Sequence, residues 1–259
     1  MSGHLFIVGA QRCGTTWLYQ LLDQHPQIVM ARPVRPEPKF FSQDALYERG
    51  LDYYEQTFFA GLETGEGIRY RGEKSTSYLD SDEAAERIAR HYPDARILIL
   101  VRDPVARAVS HWRFSVENAV ENLPIEEAFS GEEARLEAFD PTRISVSPYA
   151  YLTRGRYIEG VERYARHFPA SHIHVLVNEQ LVGRREAVRE LYQALGVDAS
   201  FQPAGLDQRV NASSVETERR AALSPELEAW ARDYFAGPTA RLEAWLGRPI
   251  PEWRRGVPR

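Results

Sequence analysis

Short, unbroken apolar runs alternate with stretches whose apolar residues recur every three or four positions. Leu5-Phe6-Ile7-Val8 and Ile97-Leu98-Ile99-Leu100-Val101 are runs of the first kind. Their length and bounding residues suit buried strands. Candidate strands cover His4–Val8, Ile28–Ala31, Ile68–Lys74, Arg96–Val101 and His172–Val177. The other spacing predicts helices over Thr15–Gln24, Leu46–Phe59, Ser81–His91, Pro104–Val120, Tyr157–Phe168, Arg184–Leu195 and Pro225–Leu246. Their ends carry stop and start signals. His25-Pro26 halts the first helix, Asp103-Pro104 opens the fourth as N-cap and first helical residue, and Leu195-Gly196 closes the sixth. Strand and helix in alternation predict an α/β fold, a central parallel sheet flanked by helices, in a single domain over residues 1–259.

In such sheets ligands bind beyond the C-terminal ends of the strands. That rule gathers four pieces of this chain into one expected crevice: the turn Arg12–Thr16, the loop around Glu37, the turn Lys74–Thr76, and Arg102. The first is the most informative. Gly9-Ala10-Gln11-Arg12-Cys13-Gly14-Thr15-Thr16 follows a strand and precedes the helical spacing of Trp17, Leu18, Leu21 and Leu22. Strand, glycine turn and helix start together form a cradle whose backbone N–H groups and helix dipole attract a phosphate. The glycine spacing is that of a P-loop, but Thr15 stands where the P-loop lysine belongs, and Arg12 supplies the positive charge from within the turn. An ordinary ATP or GTP hydrolase is therefore disfavoured. A nucleotide kinase is the competing reading, with Asp103 as its Mg²⁺-holding acid. The missing lysine and the cationic Arg102 at the same strand end argue against it.

Composition narrows the classes further. Hydrophobic residues make up 43% and charged residues 27% of 259, enough to bury a core. A net charge of −5 gives no global argument for nucleic-acid binding, so any anion site is local. Cys13 is the single cysteine, which rules out internal disulfides and is consistent with a reducing compartment. No secretory leader and no apolar stretch of membrane-spanning length are present. The expectation is a complete cytoplasmic protein. Oligomeric state is left open between monomer and homodimer. Metal chemistry is not expected, because HExxH, paired cysteines and clustered histidines are all missing.

Taken together, four segments in this order resemble the sulfotransferases that use 3′-phosphoadenosine 5′-phosphosulfate (PAPS). Q-R-C-G-T-T-W-L is similar to that family's 5′-phosphosulfate loop. V-R-D-P-V-A-R-A-V-S-H-W is similar to its 3′-phosphate motif, with Arg102 and Ser110 in the binding positions. R-P-E-P-K-F-F and E-K-S-T-S-Y-L resemble the segments of the bacterial and heparan-type branch that carry a glutamate base and a lysine beside the sulfuryl group. R-G-R-Y, ending at Tyr157, and the closing L-x-x-W-L-G-R-x-I-P-x-W fit the same pattern. The histidine base and R-K-G loop of the small-molecule branch are not found. Phe201–Arg220 stands where an equivalent loop is expected, with Arg209, Asn211 and Ser213 as candidates.

The resemblance implies sulfuryl transfer from PAPS, with 3′-phosphoadenosine 5′-phosphate (PAP) as product and no metal. It assigns Glu37 as general base and Lys74 as the electrophile at the bridging oxygen. Arg12, Cys13, Gly14, Thr15, Thr16 and Trp17 would form the 5′ cradle, with Trp17 against adenine or simply packed in the core. Arg102 and Ser110 would hold the 3′-phosphate, and Tyr157 would touch the nucleotide or only pack. His111, beside Ser110, reads as structural rather than as a second base. The acceptor is a hydroxyl or amine of a sugar, lipid or small metabolite. Phe114–Pro148, which includes acids at Glu121, Glu126, Glu127, Glu132, Glu133 and Glu137, is expected to shape its pocket. Those acids weigh against a heavily sulfated polyanion. A module that binds nucleotide without catalysis would be expected to lack Glu37 or Lys74, and both are present.

Overall fold

Leu5, Phe6, Ile7 and Val8 are sealed from solvent at the centre of a five-stranded parallel sheet, as their unbroken apolar run requires. The computed structural model describes residues 2–62, 65, 67–138, 148–206 and 222–254. Its strands are β1 (Gly3–Gly9), β2 (Ile28–Met30), β3 (Tyr70–Lys74), β4 (Arg96–Val101) and β5 (Ile173–Val177). They lie in the order β2-β3-β1-β4-β5, every neighbouring pair parallel. The chain leaves β1 toward β2 and β3 on one side and later occupies β4 and β5 on the other. The end of β1 is therefore the point where the winding reverses, the usual ligand position in an open α/β sheet. Register places Ile7 opposite Lys74 on β3 and opposite Leu98 on β4.

The α-helices are α1 (Thr15–Asp23), α2 (Asp44–Tyr47), α3 (Gly50–Phe58), α4 (Asp82–His91), α5 (Pro104–Glu117), α6 (Ile125–Ser130), α7 (Glu132–Glu137), α8 (Tyr157–Ala165), α9 (Asn178–Leu181), α10 (Arg185–Leu195) and α11 (Pro225–Leu246). Most match the sequence expectation to within a few residues. The helix expected over Leu46–Phe59 is instead α2 and α3, because Gly50 takes a left-handed φ of 81° and turns the chain between them. The fourth expected helix stops at Glu117 rather than Val120, where Ala119 adopts a φ of 56°. Arg209, Asn211, Ser213 and most of Phe201–Arg220 lie outside the described residues.

The chain divides into two compact units, Met1–Val101 with Gly160–Val210, and Arg102–Glu159 with Asn211–Arg259. The first contains the sheet. The second has its own apolar core, built from Val105, Val109 and Trp112 of α5, Ile125 and Phe129 of α6, Tyr151 and Leu152, and Ala231 and Phe235 of α11. Two of the acids expected to shape an acceptor pocket are buried here as structural acceptors. Glu132 accepts the N–H groups of Leu152 (2.5 Å) and Thr153 (2.8 Å) and the Thr153 hydroxyl (2.7 Å). Glu121 accepts from Asn122 N (2.9 Å), Leu123 N (3.0 Å) and the Tyr151 hydroxyl (2.8 Å), and pairs with Arg135 at 2.7 Å. Burial works against the Glu121 charge, but Arg135, the Leu123 N–H and Tyr151 outweigh it and hold the carboxyl below its ordinary range.

A group held below its ordinary value stabilises the fold above that value and loses its contribution as pH falls through the lowered one. Glu121→Gln is therefore expected to cost about 2 kcal/mol at pH 7, the worth of charged hydrogen bonds. The deficit should shrink in acid. Urea melts of both proteins across the acid range check this, and a gap independent of pH would remove the charge as its cause.

Candidate functional site

The turn after β1 is shaped to receive an anion. Ala10 N donates to Leu100 O at 2.8 Å, and Cys13 N to Ala10 O at 3.2 Å, which curls the chain back on itself. Arg12 is half-buried with φ of 68°, and Gly14, the residue before α1, has φ of 93°. A side chain at Gly14 would also put its Cβ at 2.8 Å from the Asn178 amide nitrogen. That amide donates to Cys13 O at 2.9 Å and pins the turn from the start of α9. No side chain caps α1, and its first turn carries no acid. The first-turn N–H groups have no carbonyl partner within the helix, so they face outward with the dipole's positive end. Thr15 is buried and Thr16 is half-exposed beside them. Cys13 is fully buried, as a small residue in a tight turn would be, and Trp17 packs into the core on the inner face of α1.

Glu37 and Lys74 lie 37 residues apart in sequence and meet as an ion pair. Lys74, the last residue of β3, is sealed to 2% side-chain exposure, whereas Glu37 keeps 17%. The carboxylate is thus the half of the pair that solvent, or an acceptor, can reach. Thr76 holds it with its N–H on Oε2 at 2.8 Å and its hydroxyl at 2.9 Å from the same oxygen. Neither bland alternative for these residues applies: Glu37 pairs with Lys74 rather than Lys39, and Lys74 is buried rather than paired on the surface with Glu73.

Sequence reasoning gave no role to the residues behind this pair. Glu73 is buried, with its carboxylate accepting from the Ser75 hydroxyl at 2.6 Å and the Tyr54 hydroxyl at 2.9 Å. The Ser75 oxygen in turn accepts Lys39 N–H at 2.9 Å, and the Tyr78 oxygen accepts Phe41 N–H at 3.1 Å. Burial pushes the Glu73 carboxyl up to about 7, against the pull of its hydroxyl donors Ser75, Tyr54 and Tyr78, and nearby Glu37 adds to the rise. Ser75 and Tyr78 belong to the recognised E-K-S-T-S-Y-L segment. Tyr54 and Asn178 come from distant helices, and nothing local in the sequence marks them.

In the second unit, Arg102 and Ser110 are both half-exposed, Ser110 on α5. Tyr157 is buried, its hydroxyl donating to the Arg102 carbonyl at 2.8 Å and its ring 5.9 Å from that of Trp253. It anchors the backbone of Arg102. Asp103 caps α5 through Ala106 N at 2.9 Å and pairs with Arg232 at 3.2 Å, which occupies the carboxylate that a kinase would need for Mg²⁺. His111 is buried with Nδ1 at 3.2 Å from Ala150 O. Among the described residues no group of three or more His, Cys, Asp or Glu side chains is placed to hold a metal ion, and no helix is long and apolar enough to cross a membrane.

Residues 2–226 match the sulfotransferase domain family. The chain is 28% identical over 255 residues to the bifunctional heparan sulfate N-deacetylase/N-sulfotransferase 1 of Xenopus laevis, covering 96% of this chain and 26% of that protein. It is 31% identical over 176 residues to human heparan sulfate glucosamine 3-O-sulfotransferase 6, covering 68% of this chain and 46% of that protein. The chain therefore spans less than half the length of these curated relatives. Among solved structures, a sulfotransferase from Alicyclobacillus acidocaldarius superposes with a TM-score of 0.79 at 30% identity, over 98% of this chain and 100% of that one.

The pairing of a sealed ammonium with a half-sealed carboxylate has a thermodynamic signature. Lys74→Met leaves the Glu37 charge without its partner and is expected to cost about 3 kcal/mol, the scale for breaking one half of a buried pair. Adding Glu37→Gln to Lys74→Met removes the orphaned charge and should recover part of the loss. Denaturant melts of the two single variants and the double variant test this, and purely additive losses would contradict the pair.

Proposed function

The chain belongs to the PAPS-dependent sulfotransferase family, and we propose that it moves a sulfuryl group from PAPS to a hydroxyl or amine of a carbohydrate or small metabolite. The observation that most supports this reading is the Lys74–Glu37 pair at the end of β3. It lies on the strand next to β1, whose own end opens into the anion-receptive turn.

Glu37 accepts the acceptor's proton as the acceptor oxygen or nitrogen attacks sulfur. The new bond to sulfur forms while the bond from sulfur to the bridging oxygen breaks. The electron pair stays on the departing 5′-phosphate of PAP. Lys74 neutralises the charge that grows on that oxygen, a task its buried ammonium performs in low dielectric. Its remaining N–H donors make this compatible with the contact to Glu37. Arg12, Thr15, Thr16 and the N–H groups of Gly14 to Trp17 bind the 5′ end of the donor. The planar guanidinium of Arg102 and the hydroxyl of Ser110 bind the 3′-phosphate, the group that distinguishes PAPS from common adenine nucleotides. Tyr157 supports them by holding the Arg102 carbonyl.

A carbohydrate acceptor is favoured by two relatives whose names specify sulfation of heparan sulfate, one on nitrogen and one at a 3-hydroxyl. The burial of Glu121 and Glu132 weakens the charge argument against an anionic acceptor, since neither carboxylate faces solvent.

Two measurements test the reading. Glu37→Gln keeps the shape of the base but cannot take a proton, so turnover should fall by about 10²–10⁴-fold while PAP affinity hardly changes. Near-normal turnover at saturating acceptor would remove Glu37 from the chemistry. Arg102→Ala should weaken PAP by roughly ten- to a hundredfold and leave the already weak binding of 5′-AMP nearly unchanged, as measured by calorimetry in EDTA. An equal loss for both nucleotides would rule out a 3′-phosphate contact.

A further inference from the structure

Glu73 has no part in the reaction as drawn above, yet it sits at the hub of the contacts that hold the Glu37 loop. Neighbouring residues of a strand point to opposite faces, so Glu73 turns away from Lys74 and shares the face of Ser75. Its carboxylate accepts from Ser75 and Tyr54, and its partners include the Tyr78 hydroxyl. An ionised carboxylate only accepts, so each hydroxyl must turn its hydrogen inward and present lone pairs outward. Two of those lone pairs are used by the loop, from Lys39 N–H to Ser75 and from Phe41 N–H to Tyr78. Pro38 has no N–H, so Lys39 supplies the first amide after Glu37 that can anchor the loop. A purely structural role would not call for a carboxyl, because an apolar side chain would fill the same space without the cost of a buried ionisable group.

We propose that Glu73 is a positioning residue for the general base: its carboxylate orients the Ser75 and Tyr78 hydroxyls so that they grip the Lys39 and Phe41 amides and fix Glu37 against Lys74 and Thr76. The proposal rests on the reading of Glu37 as base. It also makes the grip sensitive to pH. Protonated Glu73 becomes a donor, one of its hydroxyl partners must send its own hydrogen elsewhere, and the hold on the amides loosens. The groups facing Glu73 are Tyr54 of α3, Ser75 and Tyr78 of the turn after β3, Tyr92 after α4, Tyr164 of α8, and Glu37. Glu37 is the only carboxyl among them, and its charge opposes ionisation of Glu73.

The test uses Glu73→Gln, Ser75→Ala and the double variant of the whole chain. Each single variant should lose about ten- to a hundredfold in kcat, the scale of a misplaced catalytic group. Acceptor KM and PAP affinity should stay within about threefold, since ground-state binding is not the target. The double variant should be no slower than the slower single one, because both break the same link. In the wild type, kcat should fall as pH drops through about 7, and this step should be absent from Glu73→Gln. Hydrogen exchange reads the clamp independently of turnover: the Lys39 and Phe41 amides should lose protection in Glu73→Gln, and the Lys39 amide in Ser75→Ala. If Glu73→Gln does not fold, Ser75→Ala carries the test through kcat and the Lys39 amide. Additive losses in kcat, or unchanged protection at Lys39, would overturn the proposal. Inactivity of the wild type with every acceptor would count against the sulfotransferase reading alone, and the exchange data would still decide the clamp.

Discussion

Everything at the end of β3 depends on Lys74 being charged and sealed from water. A buried ammonium is tolerated only if a carboxylate reaches it in good geometry. Glu37 does so from a loop with no regular structure of its own, steadied by Thr76. The requirement runs outward from there. The loop must follow β2 closely enough to reach β3, and the two strands must lie side by side, as they do in parallel register from Ile28 and Tyr70 to Met30 and Gly72. The pair neutralises itself, so two groups of opposite charge can coexist at the edge of an apolar core.

The sheet was legible because β1, β2, β4 and β5 are short, mostly apolar runs with clear punctuation, and β4 was read to the residue, whereas β3, Tyr70-Arg71-Gly72-Glu73-Lys74, is largely polar. Helix ends were legible where a cap or proline marked them, as at Ser81, Asp103 and Ser224. The break between α2 and α3 was not, because one glycine with positive φ interrupts an otherwise continuous apolar spacing. That Glu37 and Lys74 share one crevice followed from the resemblance and the strand-end rule, but their ion pair is seen only in the structure. Tyr54 and Asn178 were beyond reach for a physical reason: each acts through one hydrogen bond across a tertiary distance, and such a contact leaves no periodicity behind. The acids of Phe114–Pro148 were misleading in part. Glu121 and Glu132 look like surface charge in sequence but satisfy backbone N–H groups in the interior.

Charge is handled differently in the anion-receptive turn. There part of the positive field comes from backbone dipoles, equivalent to about half a charge at the helix start, which need no countercharge. Arg12 adds one full charge on a half-buried side chain. Asn178 supplies rigidity without charge by holding the Cys13 carbonyl. A site built this way avoids the desolvation cost of several clustered cations and still presents converging donors.

The prolines around Glu37 have a consequence for how the enzyme could diversify. Pro36 and Pro38 cannot donate to a strand ladder, so the loop cannot be absorbed into the sheet as an extra strand. Its course is written in side-chain hydroxyls on the neighbouring turn rather than in backbone pairing. The exposed residues Pro33 and Arg35 make none of those anchoring bonds, whereas Arg32 is tied to Asp23 at 2.7 Å and to the Tyr19 hydroxyl. Size and charge at Pro33 and Arg35 can change with the anchoring amides of Lys39 and Phe41 left in place, which makes the segment an interchangeable rim on a fixed seat.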